Sequence, residues 1–404
     1  MDKLEAILRK YVASGTDTTN KVLGAAFIVC SKDGNLMEIS AGRSALPLSS
    51  PPFTPTTWTW AASMSKIITL TGLMSLVENN SLALDDDTRL LVPELAALPI
   101  LKGFSTDGTP LLEPNSRTIT LRHLITHGAG MGTDVADLNL LRWSESVGRT
   151  ARCTDYTLEG WSVPLSFPPG QGWYYGGATE FAGVAVERAT GEPLDKVMDR
   201  VLFAPLGMGA TSFDRDALRD RSGEGGAPCM SRDPRTKSLS EVDTPVPAKP
   251  ELLSLGSGLY MTAADHARVL QSLLKSLSGE AGLLNKETAE EMFRPQLTEQ
   301  QRAVLQAVTD AYHDSMVPEF SHGRKLDHGI GGIITLEHEP GKRRKGSMGW
   351  QGMANGRWWI DPESGIGATL FVNVLPVADE VVSKLFDELE RAVYSEPSGL
   401  KGGQ

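Results

Sequence analysis

Cysteine is scarce in this chain of 404 residues. The three cysteines, Cys30, Cys153 and Cys229, are an odd number without close spacing. This pattern argues against a disulfide framework and against a zinc site with cysteine ligands, and it favours a reducing compartment. A chain of this length buries enough surface to fold without a disulfide or a metal, so we expect three buried thiols.

The sequence also lacks an excess of positive charge and any long apolar run. Its 39 Lys and Arg residues stand against 50 Asp and Glu residues, a net charge of -11, which excludes a nucleic-acid binder that acts by neutralising phosphates. No run of 18 apolar residues occurs, so we expect no membrane partner. The first ten residues include acidic side chains, unlike a secretory or transit peptide, and we expect a cytosolic protein.

Hydrophobic periodicity predicts strands near both ends of the chain and a helix at each end. The strands are expected at residues 24–30, 36–40, 331–336, 356–360 and 365–374. Amphipathic helices are expected at residues 2–14 and 381–394. Together these elements predict one sheet built from both ends of the chain.

The middle of the chain predicts a helical insertion. Residues 61–210 have mostly helical patterns, and residues 67–77 are apolar on nearly every side, which predicts a helix at the centre of the core. Residues 212–250 are polar and broken by Gly and Pro, so we expect surface excursions. The fold class is therefore α+β, an antiparallel sheet flanked by terminal helices. We expect a sheet domain of residues 1–60 and 251–396, a helical domain of residues 61–250, and a disordered tail of residues 397–404.

The sequence Ser63-Met64-Ser65-Lys66 fits the S-x-x-K motif where a loop becomes the apolar central helix. At a helix N-terminus residues i and i+3 share a face, so the Lys66 amine can reach the Ser63 hydroxyl, and unpaired N–H groups favour an oxyanion nearby. A serine needs such a neighbour because its hydroxyl is a weak nucleophile. Spacing alone favours a structural serine, and a second match, Ser272 to Lys275, lies within an ordinary amphipathic helix pattern.

Two further motifs give this serine candidate partners. Tyr175 follows a turn sequence, and a tyrosine beside a lysine can act as a general base; taken alone, it is better interpreted as an aromatic residue that packs in the core. Trp350-Gln351-Gly352 precedes a predicted strand. Gly352 there suggests a close approach to the backbone, either by a substrate carbonyl held by an N–H group or in a β-bulge.

Further motifs along the chain complete a family pattern. They are Leu121-Arg122-His123-Leu124-Ile125-Thr126-His127-Gly128-Ala129-Gly130, Ala204-Pro205-Leu206-Gly207-Met208, Leu255-Gly256-Ser257-Gly258-Leu259-Tyr260 and Trp358-Trp359-Ile360-Asp361-Pro362. With the S-x-x-K motif, they resemble the serine hydrolases and acyltransferases of the class C beta-lactamase fold, which include family VIII carboxylesterases and the fungal lovastatin acyltransferase type. The resemblance covers nearly the whole chain.

The resemblance implies a beta-lactamase/transpeptidase-like fold and a role for individual residues. It makes Ser63 the nucleophile, Lys66 its partner in proton transfer, and Tyr175 the general base in acylation and the general acid toward the leaving group. It places the oxyanion hole at the backbone N–H groups of Ser63 and Met353. The implied reaction forms an acyl-Ser63 intermediate and passes the acyl group to an alcohol or to water.

Two departures from the beta-lactamases of this fold indicate another substrate. Those enzymes carry Tyr-x-Asn and Lys-Thr-Gly, whereas this chain has Tyr175-Gly176-Gly177 and Trp350-Gln351-Gly352. The side chains that would hold the amide and carboxylate of a lactam are missing, so beta-lactam hydrolysis is not expected. We expect a serine acyltransferase of fungal secondary metabolism, with a carboxylesterase as the first alternative and a non-catalytic binding protein as the second.

The expected partners are an ester or acyl thioester donor and an acceptor alcohol or acyl carrier protein. The candidate substrate-binding residues are Trp350, Gln351, Gly352, Trp173 and Trp358, although the tryptophans fit a core equally well. No motif calls for a cofactor or a metal: His123 and His127 are spaced i, i+4, but no Glu follows His123. The basic run Lys342-Arg343-Arg344-Lys345 follows a Pro-Gly pair and is expected in an exposed hairpin.

Overall fold

The two ends of the chain form one seven-stranded antiparallel sheet, as the sequence predicts. The structure is a computed structural model that describes residues 2–222 and 226–395; the tail at residues 397–404, predicted to be disordered, lies outside them. The strands are β1 (Gly24–Ser31), β2 (Gly34–Gly42), β3 (Thr59–Trp60), β4 (Ile100–Phe104), β5 (Pro110–Glu113), β6 (Cys229–Arg232), β7 (Leu239–Val242), β8 (Tyr260–Met261), β9 (Leu326–His328), β10 (Ile333–Thr335), β11 (Met348–Gln351), β12 (Arg357–Asp361), β13 (Ile366–Phe371) and β14 (Val374–Leu375). The large sheet has the order β2-β1-β13-β12-β11-β10-β9.

Pairing of β1 with β13 joins the two ends of the chain. Phe27 lies opposite Leu370 in antiparallel register. Both faces of β1 are covered, because Ile28 belongs to one core cluster and Phe27 to another on the opposite face. A continuous apolar run is typical of a strand that is buried on both faces.

The predicted terminal helices are confirmed, and they pack on one face of the sheet. The helices are α1 (Asp2–Tyr11), α2 (Ser65–Glu78), α3 (Leu121–Ile125), α4 (Leu138–Ser146), α5 (Leu158–Trp161), α6 (Ala178–Thr190), α7 (Leu194–Met198), α8 (Arg215–Ser222), α9 (Ala263–Leu277), α10 (Lys286–Phe293), α11 (Glu299–Ala311), α12 (His313–Met316) and α13 (Glu380–Ser395). α1 and α13 contact each other beneath the sheet through residues such as Leu8 and Phe386, and α9 packs on the other face against β1 and β13.

α2 is the central helix that the sequence predicts. Ile67, Ile68 and Leu73 are fully buried on different sides of it. No helix within the described ranges combines the length and apolar character needed to cross a membrane. The three cysteines are free and buried, as expected.

Residues 212–250 contain more regular structure than the predicted surface excursions. They form α8 and the β6–β7 hairpin, and β6 also pairs in parallel with β14. The buried side chains of Cys229 and Met230 fix this hairpin to the body of the protein. The Gly and Pro content of the segment hid these short strands, because local propensity does not record pairing with a distant strand.

The basic run Lys342–Lys345 lies in the connection between the paired strands β10 and β11, as predicted, but only Arg344 and Lys345 are exposed. Lys342 and Arg343 are only 3% and 1% exposed. Arg343 Nε donates to Glu390 of α13 at 2.8 Å, and Lys342 Nζ donates to the Glu319 carbonyl at 2.7 Å. Lys342 Nζ also lies 2.5 Å from a carboxylate oxygen of Asp387 in α13. Because buried charges must be paired, these contacts attach the β10–β11 connection to α13.

Candidate active site

Ser63 lies where the chain turns into the central helix. A short 3₁₀ turn, Ala62–Met64, runs directly into α2. Ala62 has a φ of +48°, a left-handed conformation that costs a non-glycine residue about 1–3 kcal/mol and must be held by its surroundings. This strained residue immediately precedes Ser63, whose side chain lines a cavity.

The structure brings Ser63, Lys66 and Tyr175 into direct contact. The Tyr175 hydroxyl lies 2.7 Å from Ser63 Oγ, and Lys66 Nζ lies 3.3 Å from the same oxygen. Lys66 Nζ also lies 4.7 Å from the centroid of the Tyr175 ring. These distances allow proton transfer between the serine and tyrosine hydroxyls, with the lysine beside both.

Close backbone packing positions Tyr175. A Cβ on Gly176 would come within 2.1 Å of the Met131 carbonyl oxygen, so only glycine allows the chain to pass here. The Tyr174 N–H donates to the His127 carbonyl at 2.9 Å. The segment that carries Tyr175 is therefore anchored on both sides of the tyrosine.

A buried histidine, His127, packs against Tyr175, and a second one, His328, packs against His127. The His127 ring lies 4.7 Å from the Tyr175 ring and 5.1 Å from the His328 ring. Burial holds the pKa of His127 well below its usual value and lowers the pKa of His328 to about 4. Both imidazoles are therefore neutral at pH 7, and they place no positive charge beside the tyrosine. His123 instead caps α3, where its Nδ1 accepts the Thr120 N–H at 3.3 Å.

The turn after β11 lies directly against the turn that carries Ser63. A Cβ on Gly352 would come within 2.6 Å of the Ala61 carbonyl oxygen. The chain's own backbone thus makes a close approach at Gly352, as predicted for this glycine. The N–H of the next residue, Met353, has no acceptor within the described ranges, which leaves it available to an oxyanion beside Ser63.

The serine lies at one side of a cavity of about 590 Å³. This volume suits a small organic substrate. Its apolar walls come mainly from Trp173, Tyr174, Val308, Tyr312, Met316 and Met353.

Residues matching the Beta-lactamase family model extend from 4 to 390. The chain belongs to the beta-lactamase family. Its fold is the beta-lactamase/transpeptidase-like fold that the motifs predict, and within this family it is an enzyme of the serine acyltransferase or esterase type.

Two relatives from fungi differ in the activity that their names state. Lovastatin esterase from Penicillium rubens is 30% identical over 401 residues, which is 96% of this chain and 98% of that protein. Monacolin J acid methylbutanoyltransferase from Aspergillus terreus is 31% identical over 86% of this chain and 84% of that protein. The unliganded structure of simvastatin synthase from Aspergillus terreus superposes with a TM-score of 0.87 at 27% identity, covering 99% of this chain and 98% of that one.

Not all the predicted substrate-binding residues of this beta-lactamase-family enzyme reach the cavity. Trp173, Trp350, Gln351 and Gly352 line it. Trp358 is a correction: it is fully buried in the core, with its ring 6.2 Å from that of His266. His266 belongs to α9, which lies on this face of the sheet, and the sequence pattern could not distinguish that face from a cavity wall.

Gln351 lines the cavity but also holds one of its walls. Its side-chain amide donates to the carbonyls of Ser315 and Met316, the latter at 3.2 Å. This contact attaches α12 to the end of β11. The wall formed by Val308, Tyr312 and Met316 was missed from the sequence, because no motif marks these residues and only the fold brings them beside Ser63.

Trp350 has a role beyond lining the cavity in this enzyme. Its indole Nε1 donates to the Tyr175 hydroxyl at 3.1 Å. We expect Trp350→Phe to lower kcat/KM for a simple ester about 10- to 100-fold, because the variant loses a hydrogen bond to an oxygen that becomes charged. Trp359→Phe is the matched control, since its indole donates to Tyr394 on the other face of the sheet. Steady-state kinetics give kcat/KM of both variants, and thermal melts show whether they are folded. An equal loss of kcat/KM in the two variants would contradict the role of Trp350.

Proposed function

We propose that this enzyme transfers an acyl group from an ester or thioester donor to an acceptor alcohol through an acyl-Ser63 intermediate. The observation that carries the proposal is the contact of the Ser63, Lys66 and Tyr175 side chains at the edge of a largely apolar cavity. The transferase and esterase relatives, matched over most of the chain, support this reaction class.

In the first half of the reaction, Tyr175 acts as a phenolate beside the Lys66 ammonium. Ser63 Oγ attacks the carbonyl carbon of the donor while its proton passes to the phenolate oxygen of Tyr175, which becomes a neutral hydroxyl. The N–H groups of Ser63 and Met353 would hold the oxyanion, and loss of one such donor typically costs about 100- to 1000-fold in rate. The tetrahedral intermediate then breaks its bond to the leaving group, which takes the proton from Tyr175. The products are acyl-Ser63 and the free alcohol or thiol.

In the second half, the acceptor alcohol loses its proton to Tyr175 as its oxygen attacks the acyl carbon. Ser63 leaves and recovers the proton. Water can perform the same step, so transfer dominates only where the acceptor occupies the cavity and displaces water. Trp173, Tyr312 and Met316 supply apolar surface for a bulky acceptor. We infer that the acceptor is a polyketide-type alcohol and that the donor is a small ester, an acyl thioester or a chain on an acyl carrier protein.

Intact-mass spectrometry tests this function. The enzyme is incubated with p-nitrophenyl esters or short acyl thioesters, and then with a bulky polyketide-type alcohol or with ethanol at the same concentration. We expect an acyl adduct on Ser63 that discharges faster with the bulky alcohol than with ethanol, giving the acylated alcohol as product.

The other outcomes are equally informative. Discharge at the same rate with and without either alcohol would favour the carboxylesterase alternative, which the esterase relative supports. No adduct with any donor would reject both enzymatic functions. A faster discharge with a carrier-protein-bound chain than with its free thioester would identify the protein-bound donor.

A further inference from the structure

A buried carboxylate lies close to the amine of Lys66. Glu180 belongs to the first turn of α6 and is 3% exposed. A Cβ added to Gly256 would come within 2.6 Å of Glu180 Oε1 and 3.0 Å of Lys66 Nζ. Because Gly256 has no side chain, the two groups face each other across a narrow gap.

The Lys66 amine has electron-rich groups on several sides. It donates to the Gly256 carbonyl at 3.0 Å and to Ser63 Oγ at 3.3 Å. The face of the Tyr175 ring lies on a further side. An ammonium group offers three donors, whereas a neutral amine presents a lone pair to its neighbours. A carbonyl, a hydroxyl, an aromatic face and a carboxylate together suit the protonated form.

Hydrogen-bond donors favour the ionised form of Glu180. The Thr179 hydroxyl donates to Oε1 at 3.4 Å, and the nearby Ser254 hydroxyl and Gly256 N–H also favour the carboxylate. The pKa of Glu180 is raised overall, because burial outweighs the Lys66 ammonium and these donors, which act in the opposite direction. Oε2 has no hydrogen-bond partner within the described ranges. The carboxylate therefore needs the positive charge of Lys66 as compensation.

We propose that Glu180 is a positioning residue, the counter-ion that keeps the Lys66 amine protonated and directed at Ser63 and Tyr175. The inference rests on the proposed function, because it assigns a task within the same site. A buried ammonium without a counter-ion is costly. With Glu180 in place, Lys66 remains a cation while the proton of Ser63 passes to Tyr175 Oη.

The pH dependence of activity reports on this counter-ion. The other titratable groups that face the pair are Tyr175, Tyr156, His127 and His328. The two histidines are neutral at pH 7, and Tyr175 is the reacting base itself, so Glu180 is the only carboxylate among the described groups that face the Lys66 amine. Removal of its charge lets the ammonium lose its proton at a lower pH.

The test compares Glu180→Gln with Glu180→Asp in the whole enzyme, with kcat/KM for a p-nitrophenyl ester measured across neutral and alkaline pH. We expect Glu180→Gln to lower kcat/KM about 10- to 100-fold and to move the alkaline limb of the profile to lower pH, and Glu180→Asp to restore part of both. Glu187→Gln is the control on the same helix, because Glu187 accepts the Leu194 N–H at 2.9 Å away from the site. An unchanged alkaline limb in Glu180→Gln would overturn the proposal.

A thermal-stability cycle tests the same pairing without relying on activity. Lys66→Met leaves the Glu180 carboxylate buried without its cation, so we expect it to lower Tm. Adding Glu180→Gln should then raise Tm again, because the uncompensated charge is gone. Independent, additive effects on Tm would refute the counter-ion. An inactive wild type would refute the proposed function instead, and the cycle would still report on Glu180 and Lys66.

Discussion

Ser63→Ala is expected to form no acyl adduct and to lose labelling by a fluorophosphonate probe. The variant removes the only atom that attacks the carbonyl carbon in the proposed mechanism, while the contact between Lys66 and Tyr175 remains. Turnover of a p-nitrophenyl ester should fall by a factor of about a thousand or more, with residual rate from binding and the oxyanion donors. Intact-mass spectrometry after probe treatment measures the loss directly.

Ser272→Ala is the matched control for this loss. Ser272 and Lys275 form the second S-x-x-K match in the sequence, but Ser272 lies in the middle of α9 and its Oγ accepts the Leu283 N–H at 2.9 Å. The variant should lose some stability and keep full labelling. Labelling that survives in Ser63→Ala would move the nucleophile elsewhere, and a wild type that is never labelled would favour the non-catalytic alternative.

The different fates of these two serines show what a motif can predict. Both matches place Ser and Lys on one face of a helix, but of the two serines only Ser63 lies at a helix start and lines a cavity. The transition from loop to apolar helix was visible in the sequence. The central helix, the terminal helices and five of the seven strands of the large sheet were predictable for the same reason, since their periodicity is strong and local. The short strands β9 and β11 were not predicted.

Features that depend on contacts between distant segments were not predictable. The wall of the cavity at residues 308–316 has no motif, and Gln351 attaches it to the sheet by a contact that only the fold creates. Arg343 looked exposed because its neighbours are charged, yet Glu390 pairs with it in the core. Glu180 was overlooked because a single acid in a helical pattern is ordinarily solvated. The division of the chain into a sheet domain (residues 1–60 and 251–396) and a helical domain (residues 61–250) stays a prediction.

Tyr175→Phe tests the proposed acid and base. The ring should keep its packing against His127 and Trp350, whose rings lie 4.7 Å and 5.0 Å away. Only the hydroxyl that contacts Ser63 is lost. We expect a folded protein with kcat/KM about 100- to 10,000-fold lower, the usual contribution of a positioned acid–base group. Steady-state kinetics with circular dichroism melts separate this loss from a loss of fold.

Tyr394→Phe is the control for losing a hydrogen-bonded tyrosine hydroxyl. Its hydroxyl donates to Asp361 at 2.7 Å, between α13 and the sheet. This variant should lose stability without losing turnover in the folded protein. The opposite pattern is expected for Tyr175→Phe, and unchanged turnover there would remove Tyr175 from the mechanism.

The choice of leaving group distinguishes the two tasks of Tyr175. An alkyl ester needs a proton on its departing oxygen, whereas p-nitrophenolate leaves readily without one. If Tyr175 acts as acid as well as base, Tyr175→Phe should lose more activity on an alkyl ester than on a p-nitrophenyl ester of the same acid. An equal loss on both esters would restrict Tyr175 to activation of Ser63. In that case the leaving group would have to take its proton from Lys66, the other donor to Ser63 Oγ. Glu180 would then be the counter-ion of a lysine that loses its proton during the reaction.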